Sequence, residues 1–517
     1  MKPDFNLTLY LVTDSGMVSA DKTLAQIVDE AIQGGVTIVQ LREKTADTGA
    51  FIALARSLQK VTKNYGVPLL INDRIDVALA IDADGVHIGQ DDMALTEARR
   101  ILGPNKIIGM SVQTAAEAEA AMCDGADYLG IGVCFDTETK QINTDALRGP
   151  VGVRQVWEHA LEVGPVRAVT IGGVNEYNAV HVLDYTRSAK GIPLEGVAVV
   201  SAIMAAEDPC AAAKVLRSQV SFAIERSWAS KQATAYVDRS AASVCQAAAA
   251  VVAHVRATDG ARPLVQHMTN VVVMNDCANA CLALGGSPIM APSAEEQADL
   301  ARNVSALVVN IGTLTLAQIP GIRAAMRCAR FYNTPIVLDP VGMGISTFRK
   351  SFVYEILRDY GVHVIKANAG EVASLLGSDE VSMQGVDSIG AGFSDPAAAV
   401  SALSRRHRCI VVMTGRVDYV SDGTSTFAVR NGHPMQACIS GSGCMVGTAV
   451  ATFIQAVAHE DPLAGALAGL IAVNVAAEHA AVSADVRGPG TFRPVFIDEM
   501  HRLSDDTLLS EMRVERA

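Results

Sequence analysis

The sequence predicts an α/β protein in two unlike parts: a (β/α)8 TIM barrel, then a second, open α/β sheet. Three observations carry that expectation. At 517 residues the chain exceeds what one ordinary core supports. Half of it is hydrophobic, with 42 glycines and 5% aromatics, as in α/β enzymes whose buried strands carry aliphatic side chains. A regular alternation of apolar runs and amphipathic stretches also ends near residue 220 and restarts after a polar, Ala-rich seam at 221–262. The expected parts are a barrel at 1–222, a linker at 223–240 and a second domain at 241–517.

In the first part the strands fall at 7–13, 37–42, 68–72, 85–88, 107–111, 128–133, 168–172 and 196–201. Amphipathic stretches such as 23–33, 50–65, 115–123 and 151–161 lie between them, and 209–220 reads as a last barrel helix. Eight βα units in about 220 residues match a (β/α)8 barrel in count and length. In that fold the C-terminal ends of the strands face the active site. Polar or glycine residues fall there repeatedly: Gln40, Arg42 and Lys44; Asn72 and Asp73; Gln90 and Asp92; Ser111; Lys140; Gly172 and Gly173; Ser201. In the second part strands are expected at 306–311, 335–339, 362–366 and 410–414, with a hairpin at 418–420 and 426–429. The stretch 251–256 closes that part's first helix.

Composition excludes several classes of function. The net charge is −13 and no basic run interrupts it, so nucleic acid is a poor partner. Ten cysteines are scattered, and only Cys277 and Cys281 share helical spacing, which predicts reduced, mostly buried thiols rather than a zinc set. The first residues enter a strand at once, without a charged and then apolar leader. The apolar stretch 463–481 comes closest to a membrane span, but its small residues suit a buried helix. A soluble, cytoplasmic protein with no membrane partner is expected.

The residue types suggest chemistry. Asp73 and Asp92 end neighbouring strands, so their carboxylates could share Mg²⁺; a turn cap is the competing reading of Asp73. Arg42 and Lys44 are cationic donors suited to phosphate, or else a solvated Arg-Glu-Lys pattern. Gly172-Gly173 and Val200-Ser201 sit at strands seven and eight, where such barrels cradle phosphate. His87 reads as a satisfied core histidine.

Seven motifs in order then match one family. They are Tyr-Leu-Val-Thr-Asp at 10–14, Gln-Leu-Arg-Glu-Lys at 40–44, Ile-Asn-Asp at 71–73, the run 83–92, the run 125–132, Thr-Glu-Thr-Lys at 137–140 and Ile-Gly-Gly at 171–173. The first part thus resembles thiamine-phosphate synthase. The resemblance implies joining of hydroxymethylpyrimidine diphosphate to a thiazole phosphate. It places the pyrimidine diphosphate on Gln40, Leu41, Arg42, Glu43, Lys44, Asn72, Ser111 and Lys140, and Mg²⁺ on Asp73 and Asp92. It places the thiazole phosphate on Thr137, Glu138, Thr139, Gly173, Val200 and Ser201. Arg42 and Lys140 are the catalytic candidates. The match departs at Asp136, where the family has proline.

The sharpest motif of the second part is Ile-Ser-Gly-Ser-Gly-Cys-Met-Val-Gly at 439–447, ahead of a long Ala-rich helix. Small residues at a helix start expose N–H groups to an anion, and a cysteine there is expected to have a lowered pKa. No Gly-x-x-x-x-Gly-Lys-Ser/Thr is present, which excludes a P-loop kinase. Together with the runs 269–273, 282–290, 309–314, 338–342, 367–371 and 488–490, this part resembles hydroxyethylthiazole kinase, a ribokinase-like fold. The resemblance implies ATP-dependent phosphorylation of the thiazole alcohol. Cys444 matches the catalytic position, Met290 and Gly441 the thiazole site, and Lys366 and Thr414 the ATP site. Asp339 and Glu371 are the Mg²⁺–phosphate candidates. Lys366 stands where arginine is common, and Met268 where asparagine is expected. The kinase family also implies a homo-oligomer, a trimer or hexamer, with sites between subunits. The leading reading is therefore a bifunctional enzyme of thiamine biosynthesis using small-molecule substrates, ATP and Mg²⁺. The alternative keeps one half as an oligomerisation scaffold or a pathway sensor.

Overall fold

Parallel strands buried on both faces need helices between them, and the first part supplies both. The computed structural model describes residues 2–19, 21–135, 149–225, 240–257, 262–384, 387–389, 392–457 and 461–517. The chain divides into two compact units, Met1–Ser230 and Lys231–Ala517. Residues 226–239, most of the expected linker, lie outside the described residues.

In the first unit β1 (Leu9–Val12), β2 (Ile38–Leu41), β3 (Leu69–Asn72), β4 (Gly85–Ile88), β5 (Ile107–Val112), β6 (Tyr128–Ile131), β7 (Ala168–Ile171) and β8 (Gly196–Val199) close into a parallel barrel. All eight expected strands are present. Successive residues point to opposite faces, so each strand feeds two cores. Leu7, Tyr10, Val12, Ile38, Leu70, Ile107, Tyr128, Val169 and Ala198 fill the barrel interior. Leu9, Leu11, Val39, Leu41, Leu69, Ile71, Val86 and Ile88 pack outward against the helices. That alternation turns Gln40 inward and Leu41 outward.

The second unit is a nine-stranded sheet. Its strands are β9 (Leu264–Met268), β10 (Ser287–Ile289), β11 (Ala306–Asn310), β12 (Ile336–Asp339), β13 (Val364–Asn368), β16 (Ile410–Thr414), β17 (Asp418–Ser421), β18 (Thr426–Val429) and β19 (Val514–Arg516). Between β13 and β16 a separate hairpin pairs β14 (Ser382–Gln384) with β15 (Asp387–Ile389). The order is β10-β9-β11-β12-β13-β16-β17-β18-β19, parallel as far as β16 and antiparallel beyond. The expected hairpin is β17–β18. Strands β9, β10, β14, β15 and β19 go beyond the sequence reading. The parallel strands run their C-terminal ends to one side, where open α/β sheets bind ligands.

One described helix, Pro462–Val482, is long and apolar enough to cross a membrane, but most of it is buried inside the unit. Its small residues let it lie against the helix Ser442–Ile454. All ten cysteines are free thiols; only Cys134, Cys277, Cys281 and Cys409 are buried, fewer than the sequence suggested.

Candidate active sites

The first site is the mouth of the barrel. Gln40, Arg42, Lys44, Asn72, Asp73, Asp92, Ser111, Gly173, Val200 and Ser201 line one cavity of about 200 Å³. Thus the strand-end residues of six different strands converge. Two members of the expected set do not. The side chain of Leu41 is packed against the helices, and Glu43 turns its carboxylate to Ser15, so only their backbone can meet a ligand. Thr137, Glu138, Thr139 and Lys140, with Asp136, lie outside the described residues.

The charges at the mouth are arranged in contact. Lys44 Nζ lies 2.8 Å from Asp73 Oδ2, and Arg42 lies 3.7 Å from Asp14. Asp73 adopts a left-handed backbone, φ 59°, which aspartate tolerates better than most residues and which swings its carboxylate over the mouth. Asp92 closes the turn after β4, accepting from Gly89 N at 2.7 Å. Its pKa is raised, first by burial and then by a hydrogen bond with Asp73. Two carboxylates that share space and resist joint ionisation suit a hard cation plus phosphate oxygens. Gly172 and Gly173 hold φ of 103° and 64°, and Asn178 Nδ2 fixes the Gly173 carbonyl at 2.9 Å. A side chain at Gly172 would collide with Val133. The glycine pair thus bares backbone to the cavity.

The second site is built at the ends of β11, β12 and β13, beneath the helix Ser442–Ile454. Asp339 is fully buried and sits 2.8 Å from Lys366 Nζ. Asn310 Nδ2 donates to Asp339 Oδ2 at 2.9 Å and to Cys444 Sγ at 3.2 Å. Asn310 Oδ1 in turn accepts from Asn270 Nδ2 at 2.8 Å and from Gly312 N at 3.0 Å. Neither asparagine was among the expected site residues. Asn310 ends β11, and Asn270 sits inside the 269–273 motif. Gly441 begins the helix at φ 87°, and the first amide bonded back along it is that of Met445, to Gly441 O. The amides of Ser442, Gly443 and Cys444 form the exposed first turn, a place for an anion.

Electrostatics corrects one expectation. The Cys444 pKa is not lowered but pushed up to about 12, by burial first and by the Asp339 carboxylate second. The helix dipole falls short of those two effects. The group is a thiol that hydrogen-bonds Asp339. Lys366, expected at ATP, spends its ammonium on Asp339. Burial alone would push its pKa down, yet Asp339, Cys444 and Glu371 together hold it above the usual value. Glu371 accepts from Gly342 N at 2.9 Å and from Asn368 N at 2.8 Å, completing a capping box with Asn368. Burial, then Asp339, pushes its pKa up to about 7 despite Lys366. Each Glu371 oxygen keeps a lone pair free of those backbone bonds, which leaves it able to serve a cation as well. Thr414, at the end of β16, donates to Ala367 O at 3.4 Å. Met290 follows β10 and is half-buried. Met268, the residue in place of asparagine, is core: it packs near Gly321 and with the aliphatics beneath the sheet.

Known proteins match both units. The model of the thiamine monophosphate synthase family matches residues 9–203, and that of the hydroxyethylthiazole kinase family residues 254–506. The chain is 39% identical to the probable thiamine biosynthetic bifunctional enzyme of Schizosaccharomyces pombe, over 100% of this chain and 99% of that one. It is 35% identical to the thiamine biosynthetic bifunctional enzyme of Saccharomyces cerevisiae, over 97% and 96%. Its first part is 46% identical to the thiamine-phosphate synthase of Chloroflexus aurantiacus, over 42% of this chain and 94% of that one. With relatives of that kind matched along nearly their whole length, the chain belongs to the family of bifunctional thiamine biosynthetic enzymes.

Proposed function

We propose that the second unit phosphorylates hydroxyethylthiazole with ATP, and that the first unit joins the resulting thiazole phosphate to hydroxymethylpyrimidine diphosphate, giving thiamine phosphate and diphosphate. The observation that carries the reading is that each unit gathers a charged constellation at its strand ends. In the barrel it is Arg42, Lys44, Asp73 and Asp92; in the sheet it is Asp339, Lys366, Glu371 and Cys444. A scaffold or a sensor has no use for a buried lysine–aspartate pair under an anion-binding helix.

In the barrel the work is release of diphosphate. Mg²⁺ held by Asp73 and Asp92 would neutralise leaving-group charge. Arg42 and Lys44 bind the same phosphates, and Asn72, Gln40 and Ser111 orient the pyrimidine. An electron-rich aminopyrimidine supports the positive charge left behind. The thiazole nitrogen, held through its phosphate at Gly173, Val200 and Ser201, then forms the new C–N bond, so no protein nucleophile is needed. Lys140 and the stretch Thr137–Thr139 are assigned to these substrates by resemblance.

In the sheet the thiazole alcohol attacks the terminal phosphate of ATP. Its O–H breaks, its O–P bond forms and ADP leaves. The Asp339–Cys444 pair takes the proton, and Lys366 holds Asp339 in place. The amides of Ser442, Gly443 and Cys444 face the moving phosphoryl group, Thr414 lies toward the nucleotide, and Met290 and Gly441 bound the thiazole. Asp339 and Glu371 are the groups to hold Mg²⁺. A homo-oligomer, a trimer or a multiple of one, fits Val271 and Val272, which are 68% and 60% exposed on the loop beside Asn270.

The test is a reconstitution. Purified chain given hydroxyethylthiazole, pyrimidine diphosphate, ATP and Mg²⁺ makes thiamine phosphate. With thiazole phosphate supplied, omitting ATP leaves product formation intact. A continued need for ATP would overturn this division of labour.

A further inference from the structure

Below the barrel mouth, side chains from five strands form one continuous hydrogen-bonded line. Gln40 Nε2 on β2 donates to Tyr10 OH on β1 at 2.6 Å, and Tyr10 OH lies 2.8 Å from Tyr128 OH on β6. Tyr128 OH lies 2.7 Å from His87 Nδ1 on β4, and His87 Nε2 lies 2.9 Å from Ser111 Oγ on β5. The two tyrosines in the middle are buried, while Gln40 and Ser111, at the ends, both line the cavity. The strands make room for this line. A Cβ at Gly109 would lie 2.0 Å from the Tyr128 ring, and one at Gly130 would lie 3.1 Å from the His87 ring. Glycine inside a strand weakens it and marks a close approach. Here the approach is that of the line's own rings. Packing alone would be met by phenylalanine, without hydroxyls that burial obliges the fold to satisfy.

The hydrogens can be counted. Each hydroxyl owns one, and the buried His87 ring, with a hydroxyl at each nitrogen, takes a single N–H, so that one nitrogen donates and the other accepts. The line therefore has two self-consistent proton orders. With Gln40 donating, Tyr10 gives its hydrogen to Tyr128, Tyr128 to His87 Nδ1, and His87 Nε2 to Ser111. Ser111 then turns its own hydrogen to the cavity, and Gln40 shows the cavity its Oε1. The opposite order reverses both ends at once. Donor and acceptor at the two ends are thus set together.

We infer that Tyr10, Tyr128 and His87 are positioning residues of the synthase: their line couples its two ends, so that an aminopyrimidine amine donating to Gln40 also sets Ser111 as a donor toward the ring. This rests on the assignment of Gln40 and Ser111 to the pyrimidine diphosphate. The amine of the ring donates to Gln40 Oε1. As diphosphate departs, positive charge spreads onto that amine and makes it a stronger donor. A fixed acceptor therefore binds more tightly in the transition state than in the ground state. Gln40 cannot turn away, because Tyr10 holds its other end.

Tyr128→Phe breaks the line and keeps the ring. The expected result is a fall of about tenfold or more in kcat/KM for pyrimidine diphosphate, the usual scale for an unpaired buried hydrogen bond. The KM for thiazole phosphate and the kinase rate of the same chain stay within about twofold, since neither touches the line. Ser111→Ala then costs less in the Tyr128→Phe background than in the wild type, because the ends are no longer coupled. An equal cost in both backgrounds, or a loss shared by both substrates, overturns the inference. Should Tyr128→Phe fail to fold, Tyr10→Phe cuts the line at its other end and decides by the same criteria. A wild-type chain without synthase activity would sink the underlying assignment and this inference with it. An active wild type indifferent to both substitutions sinks the inference alone.

Discussion

The two units use the same ion pair in opposite surroundings. In the barrel Lys44 meets Asp73 at 2.8 Å, with the lysine side chain 55% exposed. In the sheet Lys366 meets Asp339 at the same 2.8 Å, with the lysine side chain 6% exposed and the carboxylate at 0%. Distance alone would rate them equal. Water screens the first pair and is excluded from the second, so their energetics and their uses differ. The contrast follows the chemistry. A diphosphate leaving group has to be drawn off and then released to solvent, which suits mobile cations at an open mouth. Phosphoryl transfer to an alcohol has to keep water from taking the phosphate, which suits buried, preorganised charges.

The strongest way to break that comparison is to delete the same charge in both places. Lys366→Met leaves Asp339 buried and unpaired, and is expected to cost the second unit about 3–5 kcal/mol along with its kinase activity. Lys44→Met is expected to cost the barrel at most about 1 kcal/mol, its effect falling instead on synthase turnover. Denaturant unfolding of the two variants measures both. Equal destabilisation would show that burial does not separate the two pairs.

A smaller effect sharpens the kinase side. A Cys444 thiol held near a pKa of 12 is not a resting thiolate, so it acts as a hydrogen-bond partner of Asp339. Cys444→Ala is expected to slow the kinase step roughly 10²-fold and to spare the synthase. In the wild type the kinase pH profile should carry no inflection near 8–9 from thiolate formation. Iodoacetamide should label the exposed Cys123 and Cys438 well before Cys444. Near-normal turnover of the alanine variant reduces Cys444 to packing.

Much of this was legible in the residues themselves. Parallel strands covered on both faces are short aliphatic runs, and all eight barrel strands announce themselves that way. The strand-end rule then found Asn72, Asp73, Asp92 and Ser111 without coordinates. What failed, failed for physical reasons. Leu264–Met268 carries Gln266 and His267, which look unlike a buried strand until Gln297 and Thr448 are seen to satisfy them. Ser287–Ile289 is short and holds a proline at the sheet edge, and Val514–Arg516 pairs through backbone with little apolar content. Tyr10 and Tyr128 fall inside the motifs 10–14 and 125–132 without a role of their own, because the pattern shows their rings and hides what their hydroxyls meet. The Cys444 pKa was misjudged because the helix start is local and the opposing carboxylate arrives from a distant strand.

The smallest effect comes from acid, and it separates the units by sign. Each unit buries a neutral histidine, His87 in the barrel and His267 in the sheet, and burial lowers both to about 4. The unfolded chain protonates near pH 6.5 while these folded histidines do not. Nothing is lost above pH 6.5, and stability falls as the pH drops toward 4, by about 3 kcal/mol for each. The sheet has a counterweight. Glu371 and Asp418, raised to about 7 and about 6 mainly by burial, take up protons in the folded state before the unfolded chain does. Their contribution grows as pH falls through those values and is complete below about 4, where ordinary carboxylates titrate. Among the described carboxylates of the barrel only Asp92 is shifted in that direction. Between pH 7 and 4.5 the barrel is therefore expected to lose stability while the sheet, where two raised carboxylates outweigh one lowered histidine, gains about 2 kcal/mol. Trp157 is buried in the first unit, so its fluorescence, read in a Trp228→Phe background, follows the barrel while far-ultraviolet circular dichroism follows the whole chain. The fluorescence midpoint should fall with pH, and His87→Gln should flatten that fall. A fluorescence midpoint that stays level across this range would remove the histidine from the account.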